Sequence, residues 1–263
     1  MIDFHNHILP NIDDGAISIE VSLEMLKFAE SQGITDVVNT VHYKHPKMIG
    51  KEVTFDKVNE QIKKLQLTLN KENIKIKLHL GAETFFYENL VELCDDKLAT
   101  FSNGKYILIE FLTNILPKNQ REVLFELKMN GITPIIAHPE RYKAVQENIY
   151  IVADWLESGC LIQIDAGSPI GLMGKKAKLS SDIIIKNNWC QIIGSDAHDN
   201  KSRNFCIKDS FQYINSIIGD EAIKLVNDHP RSVILGDEID ISVNYENLHK
   251  KNIYELMKEK MGF

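Results

Sequence analysis

Short runs of β-branched and aliphatic residues alternate with longer amphipathic stretches along nearly the whole chain. The short runs predict seven strands, at 2–5, 35–41, 75–82, 105–111, 132–137, 160–165 and 190–195. The stretches between them predict seven helices, near 18–32, 54–72, 86–94, 118–130, 142–158, 175–188 and 204–217. Repeated strand and helix units of this kind are typical of a parallel sheet covered by helices.

The segment 18–32 shows how the helices are recognised. Its apolar residues recur at helical spacing from Ile19 to Ala29, Ser18 can cap the start, and Gly33 can end the helix in a left-handed turn. Seven such units favour a closed (β/α)7 barrel, similar to a TIM barrel, over an open sheet. Because no linker or internal repeat marks a boundary, we expect a single α/β domain over 1–263, with a C-terminal helical tail at 245–263.

The composition is that of a globular protein that can bury a sizeable core, with 263 residues, of which 44% are hydrophobic and 25% charged. No apolar run reaches the roughly 18 residues of a membrane helix, and the N-terminus does not have the pattern of a signal peptide. We therefore expect a cytoplasmic protein without membrane insertion. The net charge of −7 disfavours a nucleic-acid partner, because the lysine-rich segments are typical of solvated helix faces.

Thiol chemistry is not indicated. The four cysteines form no C-x-x-C pair, which disfavours a zinc knuckle or a disulfide framework. Cysteine-dependent phosphatases commonly need an arginine six positions after the cysteine, and here those positions hold Thr100, Ala166, Asp196 and Gln212. The phosphate-binding G-x-x-x-x-G-K-[ST] pattern is also missing from the sequence.

Candidate metal ligands follow the predicted strands at their carboxyl ends. The first strand ends in His5 and His7, which share a face because alternate strand residues point the same way, and Asp13 and Asp14 follow in the first loop. Carboxyl ends of parallel strands in a barrel converge on one rim. Six further residues at strand ends would therefore join them, namely His42, Glu83, Glu110, His138, Asp196 and His198.

This set holds more donors than one ion needs, since a catalytic zinc takes about three protein ligands. Mixed imidazole and carboxylate donors suit Mn, Fe or Zn, and so many carboxylates would repel one another without cations. We expect two to three divalent ions. The alternative without a metal site is a set of polar side chains in surface loops that do not come together. The other histidines, which are His45, His79, His229 and His249, are predicted to be ordinary residues that bind no metal.

Clustered divalent ions are typical of hydrolases, and phosphate esters are their natural substrates. Arg141 follows His138, and Arg203 follows His198. A guanidinium offers a planar pair of donors that matches phosphate oxygens. Both arginines are therefore predicted to hold the substrate phosphate at the metal rim.

Four segments carry a resemblance to a known family: MIDFHNHILPNIDDGA at 1–16, KYILIEF at 105–111, PIIAHPERY at 134–142 and GSDAHDNKSRNF at 194–205. Their order and spacing resemble the polymerase-and-histidinol-phosphatase (PHP) superfamily. Within it, the chain is most similar to the manganese-dependent protein-tyrosine phosphatases of capsule and exopolysaccharide gene clusters. The resemblance extends from Met1 to about residue 237.

The resemblance implies a distorted (β/α)7 barrel with a trinuclear metal centre. The enzyme would remove phosphate from tyrosines in the tail of a bacterial tyrosine autokinase. It implies manganese, with iron or zinc as alternatives. It assigns His5, His7, Asp196 and the bridging Glu83 to the first ion, Glu83, Glu110 and His138 to the second, and Asp14, His42 and His198 to the third. Arg141 and Arg203 would bind phosphate, and Asp14 is one candidate for influencing protonation of the leaving phenolate.

Three positions depart from the family pattern. Asn11 stands where glycine is frequent, and asparagine tolerates left-handed backbone better than most residues. Val41 replaces a frequent proline. Asp199 replaces a frequent asparagine, and its carboxylate could strengthen metal binding or slow the entry of an anionic substrate.

Three rival functions stay open at this point. A histidinol-phosphate phosphatase would share the metals but need a deep pocket for a small amine. An exonuclease or phosphodiesterase is disfavoured by the acidic charge, because polynucleotide binding depends on basic surface. A degenerate, structural metal-binding barrel would have lost ligands, whereas all nine positions are kept. A homo-oligomer is also open, with the helices near 18–32 and 54–72 as contact surfaces.

Overall fold

Seven parallel strands pair in chain order and curve into a nearly closed barrel. The computed structural model describes residues 1–239, so the predicted tail helix at 245–263 lies outside the described residues. The strands are β1 (Ile2–Asp3), β2 (Asp36–Tyr43), β3 (Lys77–Phe85), β4 (Tyr106–Glu110), β5 (Thr133–Ala137), β6 (Leu161–Asp165) and β7 (Ile192–Gly194). All seven predicted strands are confirmed, with ends that differ by a few residues.

Backbone contacts just beyond the strand ends close the barrel between β7 and β1. The Asp196 amide donates to the His5 carbonyl at 2.7 Å, and the His7 amide donates to the Ala197 carbonyl at 2.8 Å. Asn6 and Ala197 form an isolated parallel bridge. The closure thus involves the same residues that carry the candidate ligands.

Helices follow the strands and pack around the sheet. They are α1 (Ile19–Ser31), α2 (Phe55–Lys71), α3 (Gln120–Met129), α4 (Lys143–Glu147), α5 (Tyr150–Glu157), α6 (Lys175–Lys186), α7 (Ile207–Ile218) and α8 (His229–Leu235). In α1 the Ser18 hydroxyl accepts from the Val21 amide, and Gly33 adopts a φ of +83°, as predicted. Over residues 1–239, none of the helices is both long enough and apolar enough to span a membrane.

Two predicted helices are wrong, one because the segment forms only a short 3-10 turn and the other because it is split into two helices. The segment 86–94 holds only a 3-10 turn at Leu90–Leu93, which Asn89 does not cap with its side chain, and so short a helix is not stable alone. The segment 142–158 is split into α4 and α5 at Asn148, whose backbone is extended and whose side-chain oxygen accepts from the Tyr150 amide. That side chain competes with the helical hydrogen bonds.

A π-helical turn at Lys224–Asp228 and the helix α8 were not predicted from the sequence. Pro230 stands in the first turn of α8, where its missing amide hydrogen has no helical partner, and Gly236 ends the helix with a φ of +76°. Val233 of α8 packs against residues of the barrel interior. The helix thus covers the amino-terminal end of the barrel.

Apolar side chains occupy two separate regions. The larger cluster lies between the strands and the surrounding helices. The smaller one fills the amino-terminal half of the barrel interior, and we call it the interior plug: Ile2, Phe4, Val38, Phe101, Tyr106, Leu108, Ile135, Ala137, Leu161, Ile192 and Val233. The other half of the interior, toward the carboxyl ends of the strands, is left for polar residues.

Candidate metal centre

Strand alternation brings three of the predicted ligands together on neighbouring strands. On β2, Val38 belongs to the interior plug and His42 lies four residues further along. On β4, Leu108 belongs to the plug and Glu110 lies two residues further. His42 is also paired in register with Glu83 on β3. Side chains at alternate positions of a strand share a face, so all three ligands enter the barrel above the plug.

His138 and Asp196 reach the same basin by a different route. Each follows the end of a strand and adopts left-handed backbone, with φ of +32° and +48° respectively. Such φ values are uncommon for residues other than glycine and cluster at functional sites. Packing is close near Asp196, since a Cβ on Gly194 would lie 2.3 Å from the His5 Cβ. These backbone turns aim two ligands that strand alternation alone would not place.

Potential ligand atoms form three clusters, within each of which they lie at most 4.8 Å apart. One cluster contains His5, His7, Glu83 and Asp196, the second contains His7, Asp14, His42 and His198, and the third contains His42, Glu83 and Glu110. The ninth predicted ligand, His138, has its Nε2 2.9 Å from Glu83 Oε1 and 4.0 Å from Glu110 Oε1. The structure therefore brings all nine predicted side chains into one basin. Which ion each one binds stays a prediction.

Glu83 lies at the centre of the basin. Its Oε2 is 3.2 Å from His5 Nε2, 3.4 Å from His7 Nε2 and 3.0 Å from His42 Nδ1. The side chain is 1% exposed. A carboxylate in this position can bridge neighbouring ions.

Asp14 lies at the mouth of the basin. Its Oδ1 is 3.2 Å from His42 Nε2 and 3.4 Å from His198 Nε2, and the side chain is 42% exposed. The hydrogen bonds from these two imidazoles lower the pKa of Asp14. Of the nine predicted ligands, Asp14 is thus the one most accessible to an incoming substrate.

The donor set fits divalent ions. Six buried side-chain atoms of the predicted ligands make no hydrogen bond, and they are His5 Nε2, His7 Nε2, His42 Nδ1, Glu83 Oε2, Glu110 Oε2 and His138 Nδ1. Buried polar atoms without partners are rare and costly. Imidazole nitrogens and carboxylate oxygens at this density are ligands that Mn, Fe or Zn accept.

The pKa values of two predicted ligands in the protein without ions also favour cation binding. Burial and the neighbouring Glu83 carboxylate raise the pKa of Glu110 to about 8. Burial opposes the charge on His42, but the carboxylates of Glu83 and Asp14 together outweigh it and raise the pKa of His42 to about 9. At neutral pH these two groups hold protons in places where a cation would replace them.

Further polar residues hold the histidines in orientation. Asp13 Oδ2 lies 2.7 Å from His7 Nδ1 and accepts from the His42 amide at 3.1 Å. Gln163 Oε1 lies 3.0 Å from His5 Nδ1. Contacts of this kind fix the ring so that Nε2 faces the metal. Asp13 was noted in the sequence without a role, and Gln163 was missed although it occupies an inward position of β6.

His45 was predicted to be ordinary, but it borders the centre. Its Nε2 lies 3.5 Å from Glu110 Oε2, and its ring centroid lies 4.8 Å from that of His42, with the two rings tilted by 41°. Its Nδ1 accepts a hydrogen bond from the Lys47 amide, so the neutral ring carries its proton on Nε2. In the sequence, the position of His45 three residues after His42 could have indicated that it lies near the same strand end. By contrast, His79 pairs with Asp36 at the other end of the barrel.

Asp196 connects the histidines with the two predicted phosphate-binding arginines. Its Oδ1 lies 3.5 Å from His5 Nε2 and 3.3 Å from His7 Nε2. Its Oδ2 accepts from Arg141 Nη1 at 2.5 Å and from Arg203 Nη2 at 2.7 Å. The guanidinium groups thus converge beside the ligand clusters, with side chains 26% and 37% exposed.

Two departures from the family pattern have structural outcomes. Asn11 adopts a φ of +59°, the left-handed backbone that asparagine tolerates. Asp199 accepts from the backbone amides of Lys201 and Arg203 at 2.6 and 3.2 Å. Its carboxylate therefore holds the loop that carries Arg203.

The cysteines do not supply a nucleophile. Burial raises the pKa of the Cys160, Cys190 and Cys206 thiols, which keeps them protonated. None of the described cysteines belongs to a ligand cluster. The chemistry of this centre rests on imidazoles, carboxylates and arginines.

A comparison with protein families assigns the chain. The family model described as capsular polysaccharide synthesis, CpsB/CapC, matches residues 1–235. The chain belongs to the CpsB/CapC family. The match spans every strand and every predicted ligand of the centre.

Individual relatives in the CpsB/CapC family are tyrosine-protein phosphatases by name. YwqE of Bacillus subtilis is 33% identical over 222 residues, covering 84% of this chain and 86% of YwqE. CpsB of Streptococcus pneumoniae is 28% identical over 246 residues, covering 89% of this chain and 98% of CpsB.

Solved structures extend the comparison to the fold. A structure from work on YwqE and CpsB, described as unique metal-dependent tyrosine phosphatases, matches with a TM-score of 0.86 and 31% identity over 91% of this chain and 96% of that one. Histidinol phosphate phosphatase from Lactococcus lactis, solved with zinc, histidinol and phosphate, matches with a TM-score of 0.54 at 15% identity over 84% of this chain and 93% of that one. The second likeness concerns the fold alone.

Proposed function

We propose that this chain is a metal-dependent protein-tyrosine phosphatase. The observation that carries the proposal is the geometry of Asp196, whose one oxygen faces the histidines while the other binds two arginines. Cations and guanidinium groups side by side suit a phosphate dianion. Membership of the CpsB/CapC family and the tyrosine phosphatases within it support the same activity.

We assign the ligands to three ions as follows. His5, His7, Glu83 and Asp196 hold the first, Glu83, Glu110 and His138 the second, and Asp14, His42 and His198 the third. Manganese is the proposed metal, with iron or zinc as alternatives, because this donor set accepts each of them and cellular supply selects among them.

Bound ions supply two things here: they lower the pKa of a water molecule, and they neutralise the charge of the substrate phosphate. The protein's own part is to position the ester. Arg141 and Arg203 each use one nitrogen on Asp196, and the guanidinium keeps further N–H donors for the equatorial oxygens. Asp14, at the mouth, stands where it can influence protonation of the leaving phenolate.

Phosphotyrosine suits a site without a strong acid. A phenol has a pKa near 10, so a phenolate leaves more readily than an alkoxide. We propose that the substrate is the phosphotyrosine tail of a bacterial tyrosine kinase that controls capsule or exopolysaccharide synthesis, and that the protein acts in the cytoplasm without a nucleic-acid partner. A homo-oligomer through α1 and α2 stays a prediction.

Substrate competition tests the proposal. The manganese-loaded protein would be given a phosphotyrosine peptide, histidinol phosphate and bis(p-nitrophenyl) phosphate in parallel, with His5→Ala and a chelated sample as controls. We expect metal-dependent turnover of the peptide at a kcat/KM at least about tenfold above the other two. A preference for histidinol phosphate or for the diester would replace the proposed substrate, and turnover that survives chelation would overturn the metal centre.

Metal identity is tested separately. The protein would be expressed in its native cytoplasm, purified without added metal and analysed for bound elements by mass spectrometry. We expect two to three manganese ions per chain. Zinc or iron at the same stoichiometry would replace manganese as the proposed metal, and the proposed ligand residues would stay the same.

A further inference from the structure

Arg141 has a second carboxylate partner that Arg203 does not share in the hydrogen bonds and ion pairs described. Arg141 Nη1 donates to Asp165 Oδ2 at 3.3 Å as well as to Asp196 Oδ2. Asp165 lies at the end of β6 and is fully buried. The predicted site did not include Asp165, and it belongs to none of the ligand clusters found in residues 1–239.

The two carboxylate oxygens of Asp165 bind different partners. Oδ1 accepts from the Gly167 amide at 2.7 Å, and the Asp165 carbonyl accepts from the Ser168 amide at 2.9 Å. These bonds close the turn that follows β6. Oδ2 is the oxygen left to face Arg141. The turn thus fixes which way the carboxylate presents its second oxygen.

Glu140 fixes the backbone of Asp165 from the other side. Its Oε1 accepts from the Asp165 amide at 3.0 Å and from the Ser168 hydroxyl at 2.7 Å. Glu140 directly precedes Arg141, so the same short segment carries the arginine and holds its partner. This arrangement leaves the Asp165 carboxylate little freedom to move away from the guanidinium.

Asp165 differs from Asp196 in what else it serves. Asp196 faces His5 and His7 with its other oxygen, so a cation among those residues takes part of its charge. Within residues 1–239, no contact between the Asp165 carboxylate and a histidine is described. We propose that Asp165 is a positioning residue that holds the Arg141 guanidinium against the metal rim, so that its free N–H groups meet the substrate phosphate.

This inference rests on the proposed function only in that the substrate carries a phosphate. Asp165→Asn is the most selective variant. The amide oxygen can still accept from the Gly167 amide, while the amide NH₂ then opposes a donor of Arg141. Asp165→Ser serves as a second variant, because its hydroxyl is small and can keep a bond to the turn.

The experiment is a double-mutant cycle with Arg141→Ala on the metal-loaded protein, using p-nitrophenyl phosphate as substrate and inorganic phosphate as inhibitor and calorimetric ligand. We expect Asp165→Asn to raise the inhibition constant and the dissociation constant of phosphate about tenfold, the size of a lost charge-assisted bond. In the Arg141→Ala background the same change should alter them less than twofold. Asp96→Asn is the matched control, since Asp96 also closes a turn and has no described contact with either arginine.

Each outcome decides the matter. Effects of Asp165→Asn that multiply with those of Arg141→Ala would overturn the positioning role, and so would phosphate binding equal to that of the parent chain. If Asp165→Asn does not fold, Asp165→Ser in the same cycle decides by the same criteria. A parent chain that hydrolyses p-nitrophenyl phosphate but no phosphotyrosine peptide would refute the proposed substrate and leave the cycle intact as a test of Asp165.

Discussion

The two halves of the barrel interior are built by the same strands and have opposite chemistry. On β2 the interior plug contains Val38, and His42 lies four residues on. On β4 the plug contains Leu108, and Glu110 lies two residues on. A step of less than 15 Å along a strand therefore separates an apolar core from a metal centre.

The difference teaches where stability and activity come from. Burial of apolar surface contributes about 25 cal/mol per Å², so the plug stabilises the barrel in any state. The polar half contains buried atoms without hydrogen bonds, and each such group costs about 1 to 3 kcal/mol unless a ligand pairs with it. We expect the plug to govern folding and the polar half to govern activity.

The largest effect is expected from Glu83→Gln, which removes the carboxylate shared by His5, His7 and His42. Loss of metal catalysis worth several kcal/mol should lower kcat/KM by about 10³-fold or more, while circular dichroism shows the barrel retained. Asp182→Asn is the matched control, because Asp182 is also a buried carboxylate, lies outside the described ligand clusters, and as an amide keeps an oxygen that can accept from the Tyr213 hydroxyl. If Glu83→Gln kept its activity and its full metal content, the assignment of activity to the polar half of the barrel would be refuted.

Leu108→Ala tests the other half. Leu108 is fully buried in the plug, so truncation should lower the free energy of unfolding by about 2 to 5 kcal/mol, measured in urea. The kcat/KM of the folded fraction should change less than about threefold. Leu67→Ala, at a 61% exposed position, is the control for the loss of a leucine side chain. A collapse of kcat/KM in stable Leu108→Ala protein would show that the two halves are not separable.

Gly194→Ala probes the border between the halves. A Cβ there would lie 2.3 Å from the His5 Cβ and 2.6 Å from the His5 nitrogen, so β1 must shift. We expect a loss of stability of about 1 to 3 kcal/mol together with weaker metal affinity, measured by denaturation and by competition with a chelator. Gly131→Ala is the control for a glycine in open space, although its φ of +79° adds backbone strain without touching the site. Unchanged metal affinity would show that His5 adapts independently of the strand.

The smallest effect is a release of protons. In the metal-free protein, Glu110 and His42 have pKa values of about 8 and about 9, so both are protonated at pH 7. Although burial opposes it, neighbouring carboxylates also raise the pKa of His5 and His7. Cations bind the deprotonated forms of all four groups, so at least about two protons should leave per chain, and metal affinity should rise from pH 6 to pH 9. Calorimetry in buffers of different ionisation enthalpy measures the protons. No proton release at pH 7 would show that the centre is already deprotonated.

Much of the fold could be predicted because strands and helices have local signatures. All seven strands follow from β-branched runs, and α1 follows from its periodicity, Ser18 and Gly33. The break at Asn148 and the short turn in place of the helix at 86–94 could not, because side-chain bonds and packing decided them. The helix α8 is only seven residues long and has a proline in its first turn, so it has no helical periodicity to recognise, and its contact with the plug is tertiary.

By itself, the sequence determined the strand order of the ligands and the alternation that carries His42, Glu83 and Glu110 inward, because period-two geometry is local. The resemblance of four sequence segments to a known family added the family and the expected metal-dependent phosphatase reaction. Only the tertiary structure decided how His138 and Asp196 are aimed, since both adopt left-handed backbone, and the Asp196 amide is bound to the His5 carbonyl between β7 and β1. It also decided the roles of His45, Gln163 and Asp165, because each acts through a partner distant in sequence or beyond a turn, and such contacts have no local pattern.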